Sequence, residues 1–224
     1  MAAFKALLMK MYAALSVTRV LIVLPCDHQY VRMIRIMPVT SIGTKLQFVK
    51  LELEPIEIPE LLKSHRKNWE PSARLEEEAQ SLIAEDFPHL RSAEFSEQVI
   101  RWGRGQRFVG RFRQRNNDGD IASSLKRAVL MANSGEITLA VSELQKLKYL
   151  GQSFASKLVR FMCPIDAVIL DEVIRNRLGY QETAAGYEEF LADCRAVLEV
   201  AQQKYPELRI CDVEAAIFAK IQGY

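Results

Sequence analysis

Residues 147–153 read Leu-Lys-Tyr-Leu-Gly-Gln-Ser, and the fold depends on this stretch. The sequence before it has apolar residues at helical spacing, namely Ile137, Ala140, Val141, Leu144 and Leu147. The sequence after it is a second amphipathic run, with Phe154, Ala155, Leu158, Val159 and Met162. The pattern predicts two short helices joined by a tight turn that contains a glycine.

A carboxylate follows this predicted hairpin. Asp171 lies eighteen residues after Ser153, in Val168-Ile-Leu-Asp-Glu-Val-Ile-Arg-Asn-Arg-Leu-Gly179, at the start of another predicted helix, and Asp166 is a rival carboxylate. Backbone N–H groups in a turn and at a helix N-terminus can bind a phosphate without reading any base. Together these features predict an enzyme that works on a nucleotide in DNA, although Asp171 could also simply cap its helix.

The segment from about Glu136 to Gly179 resembles part of the helix-hairpin-helix DNA glycosylase superfamily, which includes endonuclease III, adenine glycosylase and oxoguanine glycosylase. The superfamily pattern is Leu-Pro-Gly-Val-Gly-x-(Lys or Ser)-x-Ala with an aspartate at a similar distance, and the matching residues are Leu150, Gly151, Ser153 and Ala155. Lys148 and Tyr149 replace the Pro and the first Gly. The resemblance implies a mostly α, two-lobed helix-hairpin-helix glycosylase fold with a short extended N-terminal arm, and Asp171 as the catalytic residue.

The residue at position 153 bears on the type of reaction. Superfamily members that also cut the strand have a lysine there, whose amine forms a Schiff base with the sugar. Serine cannot form that imine, so the resemblance implies a monofunctional glycosylase that needs no cofactor. Such an enzyme hydrolyses the N-glycosidic bond of a flipped damaged or modified base in duplex DNA and leaves an abasic site. We expect Lys157, one turn later, to contact phosphate or solvent rather than to replace the missing lysine.

Several residues are candidates for contacts with double-stranded DNA. Six arginines and no acidic residue occur from Arg101 to Arg115, and the lack of a glutamate at helical spacing favours phosphate contacts over a solvated helix face. The loop at Asn116 is similar to the asparagine-containing loop that some oxoguanine glycosylases insert into the duplex, although Asn-Asn-Asp-Gly is equally a plain turn. The predicted DNA-binding residues are Tyr149, Gly151, Gln152, Ser153, Lys157, Arg107, Arg111, Arg113, Asn116 and Asn117.

Composition indicates an ordinary globular protein without a metal site. Hydrophobic residues make up 49% and charged residues 26% of the 224 residues, and a net charge of +2 is too small for a general binder of polyanions. The cysteines at 26, 163, 194 and 211 fit no zinc or iron–sulfur spacing, which favours reduced thiols in a cytoplasmic protein. We expect no membrane span, no obligatory protein partner and a monomer.

The remaining sequence is predicted to be almost entirely helical after residue 58. Residues 45–58 alternate between apolar and polar, with Pro55 in the run, which predicts an extended arm or an edge strand. Helices are predicted at 72–85, 92–103, 121–133 with Asp120 as its cap, 184–204, and 213–221 with Asp212 as its cap. The predicted division is an N-terminal extension (1–45), a lobe from both chain ends (46–90 with 164–224), and a helical barrel lobe with the hairpin (91–163).

The sequence also permits other interpretations. An apolar run after Lys5 and Lys10 superficially resembles a secretory signal, but Arg19 interrupts it, so an extra helix and strand or an upstream translated extension is the expected explanation. A non-enzymatic helix-hairpin-helix module would use the hairpin only as a phosphate clamp, and a third class is an α-helical protein adaptor. The identity of the base is open, as is the choice between repair and removal of modified bases from phage DNA.

Overall fold

A computed structural model describes residues 40–42, 45–48, 51–69 and 71–224 of the chain. Most of the predicted N-terminal extension lies outside these described residues. Within them the fold is mostly α, as predicted: ten helices follow a small sheet. In the part of the chain so described, no helix is long and apolar enough to cross a membrane.

A three-stranded antiparallel sheet precedes the helices. β1 (Thr40–Ile42) pairs with β2 (Lys45–Phe48), and β2 pairs with β3 (Leu51–Leu53). The prediction of an extended segment at residues 45–58 is therefore confirmed for residues 45–48 and 51–53. It fails from Pro55 onwards, where a 3-10 turn (Pro55–Glu57) leads into a helix. Proline suits a first helical turn, because the N–H that it lacks would have no partner there.

The helices form an almost continuous series to the C-terminus. Their bounds are α1 (Ile58–Asn68), α2 (Ser72–Ala84), α3 (His89–Trp102), α4 (Gln106–Arg115), α5 (Asp118–Asn133), α6 (Ile137–Leu144), α7 (Gln152–Met162), α8 (Glu172–Leu178), α9 (Ala184–Gln202) and α10 (Ile210–Gln222). The hairpin helices α6 and α7 lie where the apolar spacing predicts them.

The packing brings both ends of the described chain together. α1 packs against α10, while α5 packs against both α3 and α6, and α6 packs against α7. Large side chains that are almost fully buried fill the space between the helices, namely Phe95, Phe112, Ile121, Leu125, Phe161, Tyr187 and Phe190. This arrangement sets the hairpin opposite the α1–α10 pair.

Two predicted helix caps are wrong by a few residues. Asn117 caps α5, because its backbone is extended and its Oδ1 accepts the Asp120 N–H at 2.8 Å. Asp120 therefore lies inside the helix. The last helix begins at Ile210, and Asp212 lies in its first turn, where its carboxylate accepts the Arg209 N–H at 2.9 Å. In both runs the helix therefore begins before the residue that was predicted to cap it.

Candidate active site

A cleft of about 890 Å³ opens between the hairpin and the two ends of the described chain. One wall consists of residues 145–151 and the start of α7, and the opposite wall comes from the end of α1 and from α10. The junction of α3 and α4 and the start of α8 close the remaining sides. Ligand pockets typically have volumes of roughly 300–1,000 Å³. The cleft can therefore admit an extruded nucleotide.

The hairpin turn and the N-terminus of α7 line this cleft. Tyr149 has φ of +66°, in the left-handed region that favours glycine, and glycine is the residue of the superfamily pattern at that position. Its side chain is 48% exposed. Gly151 is the N-cap of α7, and a Cβ placed on it would meet no atom within 4 Å. Because glycine has no side chain to cap the helix, the N–H groups of the first turn remain for an anion such as phosphate.

Asn116 holds the hairpin from inside the protein. The residue is 7% exposed, and its Nδ2 donates to the Phe112 carbonyl at 2.8 Å and to the Lys148 carbonyl at 3.0 Å. Its Oδ1 accepts the Lys148 N–H at 2.9 Å. Asn117 is engaged as the cap of α5. Both side chains therefore bind their own chain, and insertion of this loop into DNA stays a prediction.

Arg113 is paired within the protein rather than directed at DNA. Its guanidinium lies 3.0 Å from a carboxylate oxygen of Glu97 and 2.6 Å from one of Asp118. Glu97 is also 3.5 Å from Arg101, four residues further along the same helix. The predicted absence of a glutamate at helical spacing is therefore wrong, because Glu97 lies just upstream of the arginine run.

The other predicted DNA contacts divide into exposed and buried side chains. Arg107 and Arg111 are exposed on α4, and Arg107 lines the cleft. Their contact with phosphate stays a prediction. Gln152 is only 1% exposed, and its Nε2 donates to the Thr183 carbonyl at 2.7 Å. This side chain connects α7 with the start of α9 in the interior, so a contact of Gln152 with DNA stays a prediction for its backbone N–H.

Asp171 both caps a helix and lines the cleft. Its Oδ1 accepts the Ile174 N–H at 3.1 Å, at the N-terminus of α8. Its Oδ2 lies 3.5 Å from the Nζ of Lys157, and the side chain is 16% exposed. The capping and catalytic interpretations are therefore compatible, because one oxygen orients the carboxylate while the other remains for the cleft. Asp166 is exposed and lies in a different depression.

Lys157 is buried beside Asp171, in contrast to the prediction of a lysine that contacts solvent or phosphate. The residue is 4% exposed, and its Nζ lies 3.0 Å from Oγ and 3.3 Å from the carbonyl oxygen of half-buried Ser153. Burial lowers the pKa of the amine, while Asp171 and Glu214 act in the opposite direction. Gly103 makes room for the side chain, because a Cβ there would lie 2.9 Å from the Lys157 Cδ.

An aromatic wall faces the hairpin across the cleft. The Trp69 ring centroid lies 4.8 Å from that of Trp102 and 5.7 Å from that of Phe218, and His65 stacks beside Trp69. The Arg104 guanidinium lies 5.1 Å from the centre of the Trp69 ring. His65, Trp69 and Phe218 could not be identified as site residues from the sequence. They come from opposite ends of the chain, and each aromatic residue alone is typical of a core position.

A buried carboxyl group completes the α10 side of the cleft. Glu214 is 3% exposed, and burial raises its pKa to about 8, so the group holds a proton at neutral pH. Burial and the neighbouring Arg160 lower the pKa of His65 to about 4, which leaves its ring neutral. The sequence signal for Glu214 is its position in the apolar run Val213-Glu-Ala-Ala-Ile217.

Within the described ranges, no group of three or more His, Cys, Asp or Glu residues could hold a metal ion.

Comparison with known proteins shows the family of this chain. A family model with the description "Putative 8-oxoguanine DNA glycosylase OGG-like protein" matches residues 82–218, which is more than half of the chain. The matched range runs from the end of α2 through most of α10 and includes the hairpin, Lys157, Asp171 and Glu214. No curated protein and no solved structure matches the chain.

Proposed function

This chain belongs to the OGG-like DNA glycosylase family, and we propose that it removes an extruded damaged or modified base from double-stranded DNA. The observation that carries the proposal is the carboxylate of Asp171 in a cleft beside the open N-terminus of α7. Oxidised guanine is the first candidate base, because the family description refers to 8-oxoguanine. Base excision repair and the removal of modified bases from phage DNA are both compatible with this chemistry.

Asp171 supplies the fixed negative charge that the reaction needs. Breaking an N-glycosidic bond builds positive charge on the sugar, as in glycoside hydrolysis. A charge pair ~4 Å apart at an effective dielectric near 20 is worth roughly 4 kcal/mol, or about a thousandfold in rate. The hydrogen bond from the Ile174 N–H holds the carboxylate in place before the charge develops, so little reorganisation is required.

The walls of the cleft suit the other requirements of the reaction. An enzyme that acts on a base in a duplex must extrude it and hold it, at a cost of a few kcal/mol. The rings of Trp69 and Phe218 offer a stacking surface, and the protonated Glu214 offers a hydrogen-bond donor to an acceptor on the base. The turn at Gly151 grips a phosphate through its N–H groups, and Arg107 and Arg111 add positive charge.

The fate of the sugar depends on what attacks it. Ser153 predicts that water attacks, so that the product is an intact strand with an abasic site that alkali then cleaves. This monofunctional outcome is a prediction from the residue at position 153 alone.

The proposal is tested by measuring free base rather than strand cutting. Duplexes with 8-oxoguanine and with a panel of other oxidised and alkylated bases are incubated with the wild type and with Asp171→Asn, and released base is quantified by mass spectrometry. We expect release by the wild type and a rate about a thousandfold lower for Asp171→Asn. The cap of α8 should persist, because asparagine caps a helix as well as aspartate does.

Asp166→Asn is the matched control, since it neutralises an exposed carboxylate outside the cleft. It should release base at the wild-type rate. If the wild type binds duplex DNA but releases no base from any substrate, the protein is a non-enzymatic DNA-binding module. Absence of any salt-dependent DNA binding would favour a protein adaptor instead, and a wild-type rate for Asp171→Asn would exclude Asp171 as the catalytic carboxylate.

A further inference from the structure

The junction between α3 and α4 holds an arginine in an unfavourable backbone conformation. Arg104 has φ of +62°, in the left-handed region that residues with a Cβ seldom adopt. Its neighbours are glycines without room for a side chain: a Cβ would lie 2.9 Å from the Lys157 Cδ at Gly103, and 2.5 Å from the Phe154 Cζ at Gly105. The junction is thus packed tightly against α7. A left-handed residue that its surroundings hold in place is typical of a functional site.

The guanidinium of Arg104 lies in the cleft, on the aromatic wall. The side chain is exposed and lines the cleft, and the guanidinium carbon is 5.1 Å from the centre of the Trp69 ring, within the ~6 Å of a cation–π contact. Among the residues that the structure describes, Arg104 forms no ion pair, in contrast to Arg113, which binds two carboxylates. The charge of Arg104 is therefore available to a molecule in the cleft.

The two ends of the cleft carry charges of opposite sign. Asp171 lies where the sugar of an extruded nucleotide is proposed to bind, and Arg104 lies on Trp69, where the base is proposed to stack. Breaking the N-glycosidic bond separates charge in the same sense, because the sugar becomes positive while the base leaves with the electron pair. Fixed charges directed at the places where charge develops stabilise the transition state more than the bound substrate.

We propose that Arg104 stabilises the negative charge on the departing base, by donating guanidinium N–H groups to a nitrogen or a carbonyl oxygen at the edge of that base. This proposal rests on the proposed function and adds a second catalytic residue to it. As the bond from C1′ to the base breaks, its electron pair passes to the base, and Arg104 binds the resulting anion. Water then forms a bond to C1′, and the proton that it loses ends on the base, which leaves neutral.

An arginine suits this role because its charge is permanent. The guanidinium does not lose its proton in a protein, and it offers several N–H donors in one plane, which match the edge of a base. Arg104 therefore neutralises charge without transferring a proton. The ordinary role of an exposed arginine is instead phosphate contact, which contributes to affinity and to its salt dependence whichever base is present. Stabilisation of a leaving base acts on the rate of bond breaking and depends on the charge of the base.

The test measures release of free base in a single turnover at saturating enzyme, which reports bond breaking separately from binding. The substrate is a duplex with 8-oxoguanine, or with the neutral base that the wild type releases fastest. Arg104→Gln should release this base at least about tenfold more slowly, because one fully buried donor is worth about a hundredfold and an exposed one less. The salt dependence of duplex binding should stay unchanged, and Arg104→Lys should retain more of the rate than Arg104→Gln.

Two comparisons make the test specific. 7-Methylguanine is positively charged in DNA and leaves as a neutral base, so where the wild type releases it, Arg104→Gln should slow this release less than that of the neutral base. Arg195→Gln removes an exposed arginine of α9 outside the cleft and should keep the wild-type rate. An equal loss of rate for both bases would overturn the proposal.

Arg104→Gly separates a catalytic role from a structural one. Glycine adopts φ of +62° without strain, so the unfolding temperature should equal or exceed that of the wild type, while the rate should fall as it does in Arg104→Gln. A wild-type rate for Arg104→Gly would overturn the proposal. A lower unfolding temperature together with a lower rate in both variants would assign Arg104 a structural role and would overturn it as well.

The remaining outcomes distinguish this proposal from the proposed function. Equal single-turnover rates for the wild type and Arg104→Gln would overturn the role of Arg104 and leave the glycosylase proposal intact. The same holds for an unchanged rate with a smaller salt dependence, which would identify Arg104 as a phosphate contact. If the wild type releases no base from any duplex, the glycosylase proposal fails, and the role of Arg104 fails with it.

Discussion

Replacement of Asn116 by alanine should destabilise the protein by loosening the hairpin. The side chain makes three hydrogen bonds, two of which join it to the backbone of Lys148, 32 residues away. At about 1 kcal/mol for each net hydrogen bond, the loss is about 3 kcal/mol. For a chain of this size, each kcal/mol lowers the unfolding temperature by about 2–4 °C, so we expect a decrease of about 6–12 °C. Asn117→Ala removes one cap bond and should cost only about 1 kcal/mol.

The assay pairs thermal unfolding, followed by circular dichroism, with duplex DNA binding measured well below the unfolding transition. If Asn116 acts inside the protein, Asn116→Ala loses stability, and its DNA affinity falls only as far as the hairpin becomes mobile. The opposite pattern would refute this account: an unfolding temperature equal to that of the wild type together with a large loss of DNA affinity. That result would restore the insertion-loop interpretation of residues 116 and 117.

Three further predictions follow from the same structure. Arg107→Gln and Arg111→Gln should each reduce the slope of log affinity against log salt by about 1, whereas Arg113→Gln should leave the slope unchanged and lower stability, because its charge is already paired. Folded Glu214 keeps its proton up to about pH 8 while an unfolded glutamate loses it near pH 4.5, so the free energy of unfolding should fall as pH rises through this window. Urea unfolding at pH 5 and pH 8.5 measures this free energy for the wild type and for Glu214→Gln. The free energy of unfolding of the variant relative to that of the wild type should be higher at pH 8.5 than at pH 5. A Cβ on Gly186 would lie 2.2 Å from the Gln181 carbonyl oxygen, so Gly186→Ala should lose about 1–3 kcal/mol in the same assay, while Gly110→Ala, with open space around it, should not.

Features that depend on local spacing could be predicted from the sequence. The helices α6 and α7, the start of α8 at Asp171 and the long helix α9 all follow from apolar periodicity and from a cap within a few residues. The exact cap could not be predicted where several polar residues are adjacent. In the run from Asn116 to Asp120, four side chains can each cap the start of a helix, and Asn117 is the one that does so.

The wall of the cleft opposite the hairpin could not be predicted from the sequence. Trp69 and Glu214 are separated by more than 140 residues, and both line the cleft because α1 packs against α10. No short-range pattern distinguishes an aromatic residue that lines a cleft from one that fills a core. Glu214 is the exception, because a carboxyl group within an apolar helical run must be buried with a partner, or protonated, or placed at a site.

The relation between Ser153 and Lys157 shows that a motif aligned by position does not specify which atoms lie next to the carboxylate. The motif specifies which residue type stands at position 153, but the reaction depends on which atom lies near the sugar and Asp171. On an α-helix, positions four apart share one face, and a lysine side chain is long enough to extend back over a full turn. The nitrogen of Lys157 therefore reaches the Ser153 hydroxyl, and glycine at position 103 leaves the space for it to do so. A serine at position 153 therefore still leaves an amine in the wall of the cleft, supplied by the lysine one turn later.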